Sequence, residues 1–93
     1  MSIYTTRVEL HRACDTDYET LHAAMEREGF SRLIQSDSGK TYHLPTAEYN
    51  YEGNRTRPQV LDAAKRAAET TKLKYAALVT EAHGRTWCGL LKA

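Results

Sequence analysis

The amino-acid sequence predicts an α+β domain in which two helices cover one face of an antiparallel sheet. Three observations predict this class. Apolar and polar residues alternate near the N-terminus, two segments carry helix-capping patterns, and turn-forming residues separate the remaining short apolar runs. The 93 residues are enough for one domain, residues 1–93, and too few for two.

The N-terminal third supplies a strand and a helix. Residues 3–10 alternate with a period of two, which predicts a half-buried strand. Asp15 or Thr16 can cap a helix, and Thr16 and Glu19 have the spacing of a capping box, so we expect a helix to begin there. The helix should end at Gly29, where glycine adopts a left-handed backbone without steric cost.

A phase change interrupts the third predicted strand. Residues 30–35 predict a second short strand, and a turn separates it from residues 40–51. In the third strand the apolar positions are even up to Leu44 and odd from Ala47 onward, which would turn the later side chains to the wrong face. Because Pro45 stands at the change and cannot donate to a strand ladder, we expect a bulge or a strand break there.

A second helix and further strands follow. Thr56 and Gln59 form another capping box, with Pro58 in the first helical turn. Residues 75–80 are nearly all apolar, which predicts a strand covered on both faces. Residues 86–91 predict a last strand.

The order βαββαβ is that of the ferredoxin-like fold, with both helices on one face of an antiparallel sheet. Residues 86–91 then form an extra C-terminal strand that this fold does not need. An uncovered sheet face and an apolar extra strand, which carries Trp87, together predict a homodimer.

Composition and charge exclude several classes of protein. The 13 basic and 12 acidic residues give a net charge of +1, unlike the strongly basic balance of many nucleic-acid-binding domains, although a local basic patch is compatible with it. Mean hydropathy is −0.65, and no apolar run approaches the roughly 18 residues of a membrane span. We therefore expect a soluble, cytoplasmic protein with no membrane partner. Walker, GxGxxG, HExxH and CxxC motifs are absent, and we expect no small-molecule cofactor.

The sequence gives little support for a metal site or for a reactive cysteine. Cys14 and Cys88 are too few for a disulfide framework and lack metal-ligand spacing. We expect Cys88, beside Trp87, to be a packed thiol. Asp17 and Glu19 are explained as negative charge in the first turn of a helix, so we predict no metal site.

The four histidines differ in what their positions predict. His22 lies beside the apolar stripe of the first helix, where packing accounts for it, and His83 lies in a turn, where we expect it to be exposed and without a role. His11 and His43 are out of phase with the apolar positions of their strands. We therefore expect both to point away from the helices.

Strands one and three are neighbours in a ferredoxin-like sheet, so Arg7, Glu9, His11, Thr41 and His43 are expected to share the open face. Two imidazoles and a guanidinium are sufficient for metal-independent RNA cleavage. One imidazole accepts the proton of the ribose 2′-hydroxyl, the other protonates the leaving oxygen, and the guanidinium stabilises the phosphorane. The candidate catalytic residues are therefore His11, His43 and Arg7. A solvated face or a polar dimer interface would use the same residue types and stays open as an alternative.

Aromatic and basic residues interleave from Tyr42 to Arg57, as they do in many proteins that bind single-stranded RNA. Arg55 and Arg57 lie near a helix N-terminus, where positive charge opposes the helix dipole and an anion such as phosphate would compensate. Core packing of Tyr49 or Tyr51 is the alternative interpretation. The candidate RNA-binding residues are Arg7, Thr41, Tyr51, Arg55 and Arg57.

The layout of residues 3–80 resembles the GhoS-type endoribonuclease antitoxins of type V toxin–antitoxin systems. The resemblance lies in the order and start of the elements: the capped helix that ends at Gly29-Phe30, the strand from Gly39 through Leu44 to Tyr49, and the helix that begins Thr56-Arg57-Pro58-Gln59-Val60. It implies a ferredoxin-like fold similar to the small CRISPR-associated endoribonucleases, and cleavage of a toxin messenger RNA. The CRISPR-associated endoribonucleases place an aspartate at the end of the first strand. This strand ends Leu10-His11-Arg12, so no catalytic residue is transferred.

The sequence thus predicts a small RNA-binding protein or endoribonuclease, with the antitoxin role that the resemblance implies. A non-catalytic dimeric interaction or regulatory module is the alternative, and a small-molecule enzyme with a pocket against the sheet is a further one. A shallow groove that carries Arg7, His43 and Arg57 would favour RNA. A flat apolar sheet face buried by a second copy would favour the interaction module.

Overall fold

Seven regular elements follow the predicted order, with the third predicted strand divided in two. In the computed structural model, which describes residues 1–93, the elements are β1 Ser2–Leu10, α1 Asp15–Arg27, β2 Leu33–Gln35, β3 Thr41–His43, β4 Glu48–Gly53, α2 Arg57–Glu69 and β5 Tyr75–Glu81. The α+β class and an arrangement consistent with the ferredoxin-like fold are confirmed.

β1 is the central strand of a three-stranded antiparallel sheet with the order β4-β1-β5. Thr6 of β1 lies opposite Tyr49 of β4 and opposite Val79 of β5. β2 and β3 pair with each other, and a bridge between Ser31 and Asn50 joins this hairpin to β4. The strands therefore follow one another across the molecule as β5, β1, β4, β2 and β3.

The hydrophobic core lies between the sheet and the two helices. Alternate residues of β1 point toward the helices, and Tyr4 and Val8 are almost completely buried there. Leu21 and Met25 of α1 pack against them. α2 contributes small residues, which let its backbone approach the sheet closely: Ala63, Ala64, Ala67 and Ala68.

The strand break at Pro45 is confirmed. β3 ends at His43 and β4 begins at Glu48. Leu33 pairs with His43, and Ser31 bridges to Asn50. Only one residue separates Ser31 from Leu33, whereas residues 44–49 separate His43 from Asn50, so the chain loops out of the pairing between β3 and β4. The phase change predicted this break.

The two helix starts give different outcomes. The Thr56–Gln59 capping box is confirmed: the Thr56 amide donates to Gln59 Oε1 at 2.8 Å, and the Gln59 amide donates to Thr56 Oγ1 at 3.3 Å. The prediction of a capping box formed by Thr16 and Glu19 is wrong. The helix begins earlier because the carboxylate of Asp17 accepts the Cys14 amide at 3.0 Å and already occupies the position that closes the box.

β5 is not covered on both faces, so that prediction is wrong. Its residues alternate between half-buried and exposed, and Leu78 is 63% exposed. α2 covers only the side of β5 that faces the core. The apolar run therefore marks an edge strand with one open face.

The extra C-terminal strand predicted at Thr86–Leu91 is not formed as a regular strand. Residues 82–93, here called the C-terminal segment, cross the sheet face away from the helices instead. Arg85 Nη1 donates to Thr5 Oγ1 at 3.1 Å and to Asn50 Oδ1 at 2.8 Å. Trp87 packs edge-on against Tyr42, with ring centroids 5.8 Å apart. Side-chain packing holds most of this segment, and a single antiparallel bridge, Tyr42 with Lys92, pairs its end with β3.

None of the helices combines the length and the apolar character that a membrane crossing requires.

Candidate active site

The predicted catalytic cluster is not brought together. β4 is the strand beside β1, whereas Thr41 and His43 lie in β3, which pairs with β2. His43 lines a cavity together with Tyr49, whose side chain lies in the core on the helix side. The expectation that His43 shares the open face with His11 and Arg7 is therefore wrong. The break at Pro45 moves His43 away from β1, and His43 faces the helix side because its neighbour Tyr42 packs against Trp87 on the opposite side.

Arg7 lies on the open face, as expected, but its guanidinium is occupied. Its Nε atom donates to Glu9 Oε1 at 2.9 Å, its Nη2 atom also contacts Glu9, and its Nη1 atom lies 3.4 Å from Glu48 Oε2. The hydrogen bond and charge of Glu9 raise the pKa of Arg7. Two carboxylates thus balance this charge and compete with any phosphate.

His11 lies in the turn after β1 with an exposed side chain. Its amide donates to the Lys74 carbonyl at 2.7 Å, which continues the β1–β5 ladder by one residue. No second candidate catalytic group contacts its imidazole.

Three of the predicted RNA-binding residues lie together where β4 leads into α2. Tyr51 is half-buried against Phe30, with ring centroids 5.3 Å apart, and Arg55 Cζ lies 5.8 Å from the centre of the Tyr51 ring. Arg57 is exposed, and its Nε atom lies 4.0 Å from Glu81 Oε1. Thr41 lies apart from them, in β3.

A cavity of about 480 Å³ lies between α1 and the β2–β3 hairpin, and we call it the His22–His43 cavity. Its walls combine titratable groups with core aromatic residues. The lining residues are His22, Glu26, Phe30, Ser31, Arg32, Leu33, His43 and Tyr49. α1 supplies His22 and Glu26, and β3 supplies His43.

His22 and Tyr49 form the buried wall of this cavity. His22 Nδ1 lies 2.7 Å from Tyr49 Oη, and the rings meet edge-on with centroids 5.6 Å apart. Burial raises the pKa of Tyr49, so its phenol stays protonated at neutral pH. Burial, together with the positive charge of Arg32, lowers the pKa of His22. The His22 imidazole is therefore neutral at neutral pH and can accept a proton.

Arg32 supplies the cation of the cavity. Ser31 exchanges two backbone hydrogen bonds with Asn50, at 2.8 and 2.7 Å, and the Arg32 carbonyl accepts the Leu44 amide at 2.8 Å, so the backbone on both sides of Arg32 is held in place. The buried Nε atom of Arg32 has no hydrogen-bond partner. A buried donor without a partner costs about 1–3 kcal/mol, which a bound anion would offset.

Sequence reasoning missed His22, Arg32 and Tyr49 as site residues. The position of His22 beside the apolar stripe of α1 predicts a packing role. Helical spacing nevertheless places His22 one turn from Glu26, and Tyr49 shares its inward phase with Tyr51. A histidine on the inner face of a helix, opposite an inward tyrosine, was the available signal.

Cysteine and metal chemistry add nothing to this cavity. Cys88 is exposed rather than packed, because the C-terminal segment is irregular where a buried strand was expected, and Cys14 is exposed as well. No group of three or more histidine, cysteine, aspartate or glutamate side chains is arranged to hold a metal ion.

No protein-family model matches the chain, and no curated protein matches it significantly.

Proposed function

We propose that this protein binds single-stranded RNA and cleaves it without a metal ion, and that the His22–His43 cavity is its active site. One observation carries the proposal: two imidazoles and a guanidinium with an unpaired nitrogen line a single cavity. These groups are sufficient for general acid–base cleavage of RNA.

His22 is the general base. The reactive neutral tautomer is the one in which Nδ1–H donates to Tyr49 Oη, because Nε2 is then free to accept the proton of a ribose 2′-hydroxyl. Tyr49 thus acts as a positioning residue, because its hydrogen bond to Nδ1 fixes the orientation of the ring. The lowered pKa of His22 keeps this base unprotonated at neutral pH.

His43 is the general acid and Arg32 binds the phosphate. The 2′-oxygen attacks phosphorus, the bond from phosphorus to the 5′-oxygen breaks, and His43 donates a proton to that leaving oxygen. Arg32 donates to the non-bridging oxygens, whose negative charge grows in the transition state. The products are a 2′,3′-cyclic phosphate and a 5′-hydroxyl.

Two further residues are proposed to bind the RNA strand outside the cavity. Tyr51 with Arg55 offers an aromatic ring beside a cation, a combination that holds unstacked bases. The resemblance in layout to the GhoS-type antitoxins makes a toxin messenger RNA the proposed substrate and places the reaction in the cytoplasm.

A dimeric interaction or regulatory module without catalysis is the second candidate function. The observation that favours it is the exposed apolar edge of β5, where Leu78 is 63% exposed.

The test compares a single-stranded RNA with a 2′-O-methyl RNA of the same sequence, in EDTA. We expect cleavage of the RNA alone, with cyclic phosphate ends, and a loss of rate in Arg32→Gln that the exposed control Arg12→Gln does not show. Absence of cleavage, or equal cleavage of the methylated strand, would reject the proposal.

A further inference from the structure

The two outer edges of the strand array differ in what covers them. Along β3, the His43 amide donates to the Leu91 carbonyl at 2.8 Å, and the Ala93 amide donates to the Thr41 carbonyl at 2.9 Å. The C-terminal segment therefore covers that edge. β5 has β1 on one side and no strand on the other.

Alternate residues of β5 direct their backbone groups at this free edge. The Lys74 carbonyl accepts the His11 amide at 2.7 Å, and the Ala82 amide donates to the Ile3 carbonyl at 2.8 Å. Lys74 and Ala82 thus face β1, and the direction alternates along an antiparallel strand. The residues whose N–H and C=O groups point outward are Tyr75, Ala77, Val79 and Glu81.

The free edge lacks the features that normally prevent another strand from adding. Between Tyr75 and Glu81 there is neither a charged residue nor a proline, and Leu78 is exposed at the centre. α2 extends the apolar surface beside the strand. The groove between them is lined by Arg57, Pro58, Leu61, Ala77, Leu78 and Val79.

We propose that a second copy of this chain occupies the edge, with the two β5 strands antiparallel about a two-fold axis at Leu78. All seven residues of β5 then pair, with Tyr75 opposite the partner's Glu81 and Ala77 opposite the partner's Val79. The two sheets join into one sheet of six strands. This inference is independent of the proposed RNA cleavage.

Charge complementarity favours this occupant and this register. At one end of α2, Arg57 Nε lies 4.0 Å from Glu81 Oε1, and at the other end Tyr75 Oη donates to Glu69 Oε2 at 3.1 Å. Because Tyr75 lies opposite the partner's Glu81, Glu69 comes beside the partner's Arg57. The contact occurs twice by symmetry. The Arg57 side chain is 69% exposed, so it can lie between the two carboxylates.

Other registers lose this match. A shift of two residues keeps the side chains on their faces but displaces the strands by about 7 Å, which separates Glu69 from the partner's Arg57. The register centred on Leu78 is therefore the one that pairs the whole strand and the charges together.

Sedimentation equilibrium measures the association directly. We expect a dimer at micromolar concentration, with a dissociation constant raised at least about tenfold in Leu78→Lys, because two like charges then meet on the axis. Leu91→Lys, at another exposed leucine outside the edge, is the control. A monomer up to hundreds of micromolar, or a dimer that Leu78→Lys leaves unchanged, would overturn the proposal and leave the edge to a strand of another protein.

Charge reversal tests the register. Arg57→Glu and Glu69→Arg should each weaken the dimer, and the double variant should recover most of the loss. Within one chain the two positions are about 18 Å apart along α2, too far to interact. Recovery therefore reports a contact between subunits, and its absence would contradict the register.

Cross-linking places the axis. In a Cys14→Ser, Cys88→Ser background, Leu78→Cys should form a covalent dimer on oxidation, because residues on the axis are about 4.5 Å apart at Cα, within the range of a disulfide. Thr80→Cys is the control, since its two copies would lie about 13 Å apart. Equal cross-linking at both positions would contradict the axis.

Discussion

The Nδ1 atom of His22 lies 2.7 Å from the phenol oxygen of Tyr49, and this pair joins α1 to β4 at the wall of the His22–His43 cavity. Tyr49 is completely buried, whereas His22 is half-buried and reaches the cavity. The pair therefore satisfies a buried hydroxyl and holds the imidazole in one orientation at the cavity, where the proposed mechanism requires it.

Tyr49→Phe tests both purposes. The ring stays packed, but the hydrogen bond to His22 is lost, so we expect the free energy of unfolding to fall by about 0.5–1.5 kcal/mol and the RNA cleavage rate to fall with it. Urea denaturation and initial rates measure the two effects. Tyr42→Phe is the matched control, because the Tyr42 hydroxyl makes no hydrogen bond. Equal behaviour of the two variants would contradict the role of the pair.

The lowered pKa of His22 predicts a pH dependence of stability. The folded protein binds a proton at His22 less readily than the unfolded chain, whose histidine titrates near 6.5. The neutral imidazole therefore favours folding above about pH 6.5, and stability falls as the pH drops from there toward the lowered pKa of the folded state.

Urea denaturation from pH 7.5 to pH 5 measures this contribution. The free energy of unfolding should fall less steeply in His22→Gln than in the wild-type protein, whereas His83→Gln, at an exposed turn position, should follow the wild type. Parallel curves for all three proteins would show that His22 is not desolvated in solution.

Arg85 holds the C-terminal segment against the sheet, and its removal should loosen that segment. Arg85→Ala leaves the buried side-chain oxygen of Asn50 without its donor, which we expect to cost about 1–3 kcal/mol of stability. Hydrogen exchange should accelerate at residues 86–93. Arg27→Ala, at an exposed position of α1 that forms no ion pair, is the control. Unchanged exchange would show that the segment is held by other contacts.

Local patterns predicted most of the fold. The alternation of β1, the Thr56–Gln59 capping box and the break at Pro45 are local properties, and each is found in the structure. The C-terminal segment is different, because it packs on the hairpin through its side chains and pairs with β3 at one bridge only, Tyr42 with Lys92. No period of two or of 3.6 residues distinguishes that packing from a strand.

The candidate site was predicted only in part. The sequence predicts His43 as a site residue, but its expected face depends on Tyr42 and Leu44 pointing toward the helices, whereas Tyr42 packs against Trp87 of the C-terminal segment. Once β3 separates from β4, the phase of Tyr49 carries no information about the side on which His43 lies. The cavity also depends on how α1 packs against the hairpin, a long-range contact that periodicity along the chain does not contain.

The measurement that tests the account most directly compares the initial rate of single-stranded RNA cleavage, in EDTA, among His22→Gln, His43→Gln and His11→Gln. Circular dichroism of each variant confirms that it is folded. We predict that the first two lose on the order of 10²- to 10⁴-fold in rate, as expected for a general acid or base, and that His11→Gln retains the wild-type rate. Loss of activity in His11→Gln with full activity in His22→Gln would contradict the account and return the active site to the open face of the sheet.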